Sequence, residues 1–234
     1  MTGFPRYAIY FAAGADNVLS RFGAELLGYD AYTSDELSFP QGTLHAVPDW
    51  RDITADPRKY GFHGTLKAPM ALVSGNTEAE LKAACATFAA KARPMPVIQP
   101  VVDAISGFIA VIPAEPVDAL LQLAADCVRD FDSFRPALTA EERARRKPEK
   151  LSARQREYLD RWGYPYVMEE FRFHMTLTGR LDAERRGPIL EMLRARFATL
   201  KLDALAIDRI ALFKQDDAKA RFRIIGEWPL APAS

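Results

Sequence analysis

The chain has 234 residues, and its 31 basic and 31 acidic side chains give a formal net charge of zero at neutral pH. Balanced charge argues against a protein that coats nucleic acid, since such proteins carry a strong basic excess, so we expect no stable DNA binding. Hydrophobic residues make up 49% of the chain, but no apolar run reaches the length of a membrane span. The first residues do not combine a basic start with a long apolar stretch, so we expect no signal peptide, no membrane partner and a cytoplasmic location.

Length and cysteine content bound the domain organisation. A chain of this size is near the upper limit for one compact core, so we expect residues 1–234 to form a single bilobed domain and a monomer. Cys85 and Cys127 are too few and too far apart in sequence for a disulfide framework or a zinc site. Both lie in alanine-rich stretches that read as helices, and we expect them in the core.

Hydrophobic periodicity predicts an alternation of helices and strands along the chain. In chain order it predicts a strand at 6–12, a helix at 15–27, a turn-rich loop at 29–58, a helix at 77–92 capped by Thr77, strands at 97–102 and 105–112, a helix at 117–131, a helix at 188–200, and strands at 206–213 and 220–228. This order predicts an α+β fold of two pseudo-symmetric lobes, each an antiparallel sheet backed by helices.

Residues 134–162 interrupt this order with nine basic and five acidic side chains. Thr139 and Ser152 each precede a Glu or Gln by three residues, which is the spacing of a capping box. Pro148 lies between the two helical stretches. The pattern predicts a helical hairpin inserted between the two lobes.

A four-residue pattern, histidine–any–threonine–leucine, occurs twice in a chain that has only three histidines. The two copies are His63-Gly64-Thr65-Leu66 and His174-Met175-Thr176-Leu177. One copy would be a weak signal, because a histidine on a sheet face is more often structural than catalytic. Since histidine is the side chain that exchanges protons near neutral pH, the repeated pattern predicts one proton-transferring site built from two halves.

Both copies lie in segments with the two-residue period of a strand that has one buried and one polar face. In the first segment the polar face carries His63, Thr65 and Lys67. In the second segment it carries Arg172, His174, Thr176, Thr178 and Arg180. Imidazoles, hydroxyls and permanent cations on one surface suit a phosphate group, because they move protons around it, hydrogen-bond it and neutralise its charge.

The paired motifs, roughly a hundred residues apart, resemble those of the two-histidine (2H) phosphoesterase superfamily, in particular the RNA-ligase-like cyclic phosphodiesterases. Four longer stretches are similar to a bacterial subgroup that is associated with phosphonate metabolism and whose reaction is poorly defined. These stretches are residues 6–11, 63–69, 135–139 and 171–180. The similarity spans nearly the whole chain.

The resemblance implies metal-independent acid/base catalysis, without a cofactor, on a cyclic phosphate or related phosphodiester of a nucleotide, an RNA end or a ribose phosphate. One histidine, neutral, would take a proton from the attacking water, and the other, protonated, would give a proton to the leaving oxygen. Either His63 or His174 can fill either role. Further residues implied in substrate binding are Thr65 and Thr176 for the non-bridging oxygens, and Lys67, Arg172 or Arg180 for the added negative charge. The resemblance also implies two sheets that face each other across a cleft, with one motif strand in each.

The charges of the insert permit two interpretations. Most charged helix pairs are simply solvated, and the same charges would also suit a basic lid over the cleft. The candidates for a contact between such a lid and a substrate phosphate are Arg135, Arg143 and Arg146. Tyr10 and Tyr60 are candidates for stacking on a base or sugar, although most such tyrosines only border a core. His45 lacks the motif and is expected on the surface.

Two other function classes stay open. A metallohydrolase would need at least a third ligand at suitable spacing, and neither motif has a carboxylate or thiol placed for this, so no metal site is expected. A non-catalytic module would use the same cleft to bind an RNA end or a phosphorylated metabolite.

Overall fold

The computed structural model describes residues 3–233 and shows an α+β fold, which confirms the predicted class. The strands are β1 Arg6–Phe11, β2 Gly64–Ala71, β3 Val97–Ile98, β4 Pro100–Ile105, β5 Phe108–Pro113, β6 Met175–Thr176, β7 Leu205–Ala206, β8 Arg209–Gln215 and β9 Arg223–Pro229. Seven of them form one antiparallel sheet in the order β4-β5-β6-β2-β1-β8-β9, and β3 pairs with β7 separately.

The sheet has two halves, and their strands differ from those of the two lobes predicted on either side of the insert. One half contains β1, β2, β8 and β9, and the other contains β4, β5 and β6. The family resemblance implied two separate sheets that face each other across a cleft, with one motif strand in each. In the structure β2 pairs with β6, and this pairing joins the two halves into one continuous sheet. The halves are also not consecutive in sequence, because the last two strands complete the half that β1 begins.

Helices cover one face of the sheet. The α-helices are α1 Val18–Leu27, α2 Thr43–Ala46, α3 Trp50–Ile53, α4 Ala55–Tyr60, α5 Glu78–Ala90, α6 Asp118–Asp130, α7 Ala140–Arg145, α8 Ala153–Trp162 and α9 Ala183–Ala198. Helix α5 packs on β8 and β9, α6 on β2, and α9 on β4 and β5. Within residues 3–233, each helix is too short or too polar to cross a bilayer.

The two faces of the sheet have different cores. The helix-covered face holds the main hydrophobic core, to which Ile9, Leu66 and Met175 contribute. The other face holds a smaller buried cluster that includes Tyr10 and Phe213. Because successive side chains on a strand point to opposite faces, one strand supplies residues to both cores.

The predicted insert is confirmed as a helical hairpin. Helices α7 and α8 each begin with a complete capping box, at Thr139 and Ser152 respectively. Pro148 opens a 3₁₀ turn between them. Thr77 caps α5 in the same way, as predicted. These ends follow the sequence closely because a cap is made by residues three positions apart.

Two predicted elements differ from the structure. Helix α9 begins at Ala183, before the predicted position 188, and contains Pro188. Pro188 is the sixth residue of α9 and cannot donate to the Glu184 carbonyl, a cost that the later turns offset by burying their apolar face in the main core. The strand predicted over residues 171–180 has strand pairing only at 175–176, since the Leu177 and Thr178 N–H groups both bond the Ile109 carbonyl. Cys85 and Cys127 are buried and His45 is exposed, as predicted.

Candidate active site

The two motifs lie side by side in the centre of the sheet. Gly64 of β2 pairs with Met175 of β6 in an antiparallel register. In such a register His63 lies across from Thr176 and Thr65 lies across from His174, and partners across a ladder point to the same face. Directly opposite side chains have Cβ atoms about 4.5–5.5 Å apart. Two imidazoles and two hydroxyls therefore form one patch, here called the motif patch, on the sheet face opposite α5, α6 and α9.

Both imidazoles are fixed by the same local contact. Nδ1 of His63 lies 2.9 Å from the carbonyl oxygen of Gly61, and Nδ1 of His174 lies 2.7 Å from that of Arg172. A carbonyl only accepts, so Nδ1 carries the proton in each neutral ring and Nε2 carries the lone pair. The repeated contact leaves both Nε2 atoms available for proton transfer, and Thr65 Oγ1 already lies 3.3 Å from His63 Nε2.

His63 has an aromatic environment. Its ring is stacked on Tyr10 with ring centroids 3.8 Å apart and an interplanar angle of 19°. Phe213 and Tyr60 lie 5.8 Å and 6.1 Å away, centroid to centroid. Tyr10 lies on the predicted face of β1, but it is only 1% exposed and contacts His63 instead of an open cleft. Tyr60 is stacked on Phe222, 5.1 Å away. Both tyrosines thus support the aromatic wall around His63.

The two imidazoles differ in their proton affinity. Burial lowers the pKa of His63 to about 4; the hydrogen bond to Gly61 opposes this decrease, and the neighbouring His174 adds to it. Burial also lowers the pKa of His174, while the hydrogen bond to Arg172 raises it. Desolvation disfavours the charged form of any base, so the more enclosed ring loses its proton first. Burial therefore favours the neutral form of both rings, and more strongly that of His63.

A pocket of about 460 Å³, here called the His174 pocket, opens beside the second motif. Its lining residues are Thr65, Ile105, Ser106, Phe108, Gln155, Tyr164, Tyr166, Glu170, Phe171, Arg172, His174 and Arg180. It brings together three candidate residues of the second motif segment, Arg172, His174 and Arg180. The guanidinium groups of Arg172 and Arg180 have no carboxylate within ion-pair distance in the described chain. Thr178, predicted on the same face, is buried and accepts a hydrogen bond from the Ile109 N–H.

Several aromatic residues of this pocket were not among the candidates drawn from the sequence. Phe108 lies 5.4 Å from His174, ring to ring, and Tyr164 and Tyr166 form an edge-to-face pair. A signal for the tyrosines exists, because Tyr164-Pro165-Tyr166 follows the insert directly and precedes the second motif. The chain that leaves the insert has to return past the site to reach β6.

The side chain of Lys67 does not share the face of the motif residues. Tyr10 pairs with Thr65 whereas Ile9 pairs with Lys67, so Leu66 is an extra residue in β2. One extra residue in a strand is a β-bulge, and it interrupts the alternation of faces. Lys67 therefore points to the helix-covered face together with Leu66.

The surroundings of Lys67 are those of a structural residue. It is 4% exposed, and its ammonium group donates to the Val128 carbonyl at 2.9 Å and pairs with Asp132 at 3.2 Å. The prediction that Lys67 lies on the phosphate-facing surface with His63 is wrong, because a bulge cannot be read from the period of the sequence.

Lys67→Met tests this assignment, since methionine keeps an apolar stem and lacks the charge. We expect the free energy of unfolding to fall by about 1–3 kcal/mol, because the buried Val128 carbonyl loses its donor. Asp132 keeps Arg135 as a partner. We expect kcat/KM to stay within a few-fold of wild type. Denaturant unfolding measures the change in stability, and steady-state kinetics measure kcat/KM. A variant that folds but has no activity would show that Lys67 takes part in the reaction.

Two arginines of the predicted lid are engaged inside the insert. Arg143 forms a two-pronged ion pair with Asp160, with a nitrogen–oxygen distance of 2.6 Å, which links α7 to α8. Arg135 pairs with Asp132 and donates to the Arg161 carbonyl. Arg135 and Arg143 were predicted to contact a substrate phosphate from a lid. In the structure both side chains instead form contacts that stabilise the insert.

Metal-ligating groups do not cluster in the part of the chain that the structure describes. Among residues 3–233, no group of three or more His, Cys, Asp or Glu side chains is arranged to hold a metal ion. The motif patch holds two imidazoles and two hydroxyls, and the guanidinium groups of Arg172 and Arg180 line the adjoining His174 pocket.

Solved structures that align with this chain include LigT of E. coli complexed with 3'-AMP, which is 12% identical and has a TM-score of 0.46. That alignment covers 97% of this chain and 99% of that one. A structure described as a phosphoesterase is also 12% identical, with a TM-score of 0.43 and coverage of 97% and 98%.

Two curated relatives carry the name ribose 1,5-bisphosphate phosphokinase PhnN. The protein of Janthinobacterium sp. (strain Marseille) is 35% identical over 235 residues, which cover 98% of this chain and 51% of the relative. The protein of Laribacter hongkongensis (strain HLHK9) is 33% identical over 220 residues, which cover 94% and 50%. The chain spans about half the length of the curated relatives it matches. The family model described as "Protein of unknown function (DUF1045)" matches residues 65–223, most of the chain, and the chain therefore belongs to the DUF1045 family.

Proposed function

We propose that the chain is a metal-independent phosphodiesterase of the two-histidine type that opens a cyclic phosphate or cleaves a related phosphodiester. The observation that carries the proposal is the motif patch, in which two imidazoles with identical Nδ1–carbonyl contacts lie across from two threonines. Because the four side chains share one face of two paired strands, a phosphate group bound there would lie near both imidazoles. The sequence resemblance to the 2H phosphoesterases supports the same reaction class.

In the proposed hydrolysis His63 is the base and His174 is the acid. Nε2 of His63 takes a proton from water, whose oxygen forms a bond to phosphorus. The bond from phosphorus to the leaving oxygen breaks, and that oxygen receives the proton from Nε2 of His174. Thr65 and Thr176 donate hydrogen bonds to the non-bridging oxygens, where negative charge develops. Proton exchange with solvent then restores the neutral base and the protonated acid.

The proposed roles of His63 as base and His174 as acid predict that kcat/KM is highest at acidic pH. His63 has to be neutral, so kcat/KM should rise as the pH increases through about 4. His174 has to be protonated, so kcat/KM should fall as the pH increases through its pKa, which burial lowers from 6.5. The expected profile is a bell whose maximum lies below pH 6.5. A maximum well above neutral pH would contradict this assignment of acid and base.

The favoured substrate is a cyclic ribose phosphate. The names of the two curated relatives concern ribose 1,5-bisphosphate. If a cyclic phosphate joined O1 and O2 of ribose 5-phosphate, breaking its bond to O2 would leave ribose 1,5-bisphosphate. Such a reaction would fit the role in phosphonate metabolism that the sequence resemblance suggests. Nucleoside 2′,3′-cyclic phosphates and RNA ends with a cyclic phosphate present the same reacting group.

The test is turnover of a small panel with EDTA present. The panel contains ribose cyclic phosphates, nucleoside 2′,3′-cyclic phosphates and a short RNA with a cyclic end. Chelator-resistant hydrolysis that needs both motif histidines is the expected result. Binding without turnover of any member would favour a non-catalytic module, and turnover that depends on added metal would contradict the mechanism.

A further inference from the structure

Four arginines line a second pocket, of about 290 Å³, which is here called the arginine pocket. They are Arg6 at the start of β1, Arg135 before the insert helices, and Arg145 and Arg146 at the end of α7. The one carboxylate of the lining is Glu142. The remaining lining comes from short or apolar residues at the ends of β2 and the insert.

The positive charge of the pocket is only partly balanced. Arg135 pairs with Asp132, and Arg145 lies 3.6 Å from Glu141 in an exposed pair. Glu142 accepts from the Thr139 N–H and hydroxyl in the capping box of α7, so one of its oxygens is already engaged. A pocket with more guanidinium than carboxylate groups attracts anions.

Arg6 is held in place by neutral partners. Its Nε donates to Oε1 of Gln215 at 2.9 Å, and Nη2 donates to the same oxygen. Gln215 is fully buried and its own amide nitrogen donates to the Ala220 carbonyl, which fixes that oxygen toward Arg6. The guanidinium carbon also lies 5.4 Å from the centre of the Phe222 ring. Among the described residues, no carboxylate neutralises this guanidinium group.

Arg146 is likewise held by a neutral group. Its guanidinium carbon lies 5.2 Å from the centre of the Tyr164 ring, and the described chain places no carboxylate within ion-pair distance. A guanidinium group that is fixed by stacking keeps its N–H groups for a further acceptor. Arg6 and Arg146 are thus two oriented, unneutralised cations in one pocket.

The arginine pocket adjoins the candidate active site. Arg6 lies four residues before Tyr10 on β1, so the two share a face and their Cα atoms are roughly 13 Å apart. Tyr10 is the residue on which His63 is stacked. Tyr164 links the two pockets, because it lines the His174 pocket and its ring lies 5.2 Å from the guanidinium carbon of Arg146 in the arginine pocket.

We propose that the arginine pocket is a second anion subsite, in which Arg6 and Arg146 bind a phosphate group of the ligand other than the one between the histidines. Phosphate suits two fixed guanidinium groups, because each can donate two parallel hydrogen bonds to its oxygens. That the arginine pocket forms part of a substrate site rests on the proposed function. That the pocket binds anions is independent of the proposed function. A terminal phosphate of a sugar phosphate and a backbone phosphate of an RNA end offer the same chemistry.

The first test measures anion binding in the full chain with His63→Ala as background, so that no turnover occurs. Inorganic pyrophosphate is the probe, titrated by calorimetry at low salt, with the thermal midpoint as a second readout. We expect Arg6→Gln and Arg146→Gln each to weaken binding about tenfold, which is about 1.4 kcal/mol, since each substitution removes one charged donor to the phosphate oxygens. Pyrophosphate should raise the midpoint less in both variants than in the parent. Arg154→Gln is the matched control, since Arg154 is an insert arginine that pairs with Glu157.

The second test compares substrates with and without a further phosphate. One pair is ribose cyclic phosphate with and without a 5-phosphate, and the other is a short RNA with a cyclic end, with and without a 5′-phosphate. The subsite predicts that Arg146→Gln raises KM for the phosphorylated member only, and the pair that responds identifies the source of the phosphate. Unchanged pyrophosphate affinity in both arginine variants, or equal effects on both members of each pair, would overturn the proposal. Arginine-dependent pyrophosphate binding without any turnover would instead count against the phosphodiesterase alone.

Discussion

Replacing either motif histidine with alanine is expected to lower kcat/KM for a cyclic phosphodiester by about 10²–10⁴-fold. Each imidazole supplies one of two proton transfers in the proposed reaction, and the other members of the motif patch are threonine hydroxyls, which cannot replace an imidazole as acid or base. The affinity for a non-hydrolysable ligand should change little, because the threonines and arginines remain. The double variant should be little worse than either single variant, since the two rings act as a unit.

The measurement is steady-state kinetics of His63→Ala, His174→Ala and the double variant, together with ligand binding by calorimetry. His45→Ala is the matched control, because His45 is exposed and lies outside both motifs. Thermal unfolding of each variant separates lost catalysis from lost folding. Activity that survives the loss of both motif histidines would contradict the mechanism.

Gly64→Ala is expected to reduce both stability and activity. A Cβ at this position would lie 2.4 Å and 2.5 Å from two ring carbons of Phe173, which is buried in the main core beside His174. Because the ring sits in a packed core, it can move only by shifting β6 away from β2. We expect a loss of about 1–3 kcal/mol in the free energy of unfolding. A shift of about 1 Å between the imidazoles would lower kcat/KM by about 10²-fold.

Gly187→Ala gives the matched control for this substitution. Gly187 lies in α9, and a Cβ there would meet no atom within 4 Å apart from its chain neighbours and the α9 backbone. Alanine favours a helix over glycine by about 1 kcal/mol, whereas the following Pro188 disfavours helical backbone at a residue with a Cβ, so we expect the free energy of unfolding to stay within about 1 kcal/mol of wild type. Denaturant unfolding and kcat/KM compare the two variants. If Gly64→Ala were as stable and active as Gly187→Ala, close packing of Phe173 on β2 would not set the spacing of the site.

The proposed roles of His63 as base and His174 as acid follow from the different surroundings of the two imidazoles. The motif residues themselves are the same in both copies, but His63 lies in an aromatic enclosure whereas His174 borders an open pocket. Desolvation acts more strongly on the enclosed ring and holds it neutral. In the proposed reaction one repeated motif would provide both a base and an acid, because the fold gives its two copies unequal access to water.

Local patterns in the sequence predicted the parts of the structure that depend on neighbouring residues. The capping boxes at Thr139 and Ser152 were legible because both partners of each cap lie three residues apart. The face on which Tyr10 lies could be predicted because successive side chains alternate between the two faces of the sheet throughout β1. The same reasoning failed at Lys67, where a single bulged residue reverses the face, and the bulge exists because of pairing with β1.

Sequence patterns were enough to predict the α+β class, the inserted hairpin and the two histidine motifs in strand-like segments with a common chemistry. The folded chain was needed to show that β2 and β6 are neighbours, that Lys67 belongs to the core, and that Arg6 and Arg146 line one pocket. Helix caps and strand alternation arise from contacts within a few residues, which a sequence displays directly. Strand order, bulges and pockets arise from contacts between residues far apart in the chain. Such contacts exist only after the strands have paired into a sheet and its two faces have been buried to different extents.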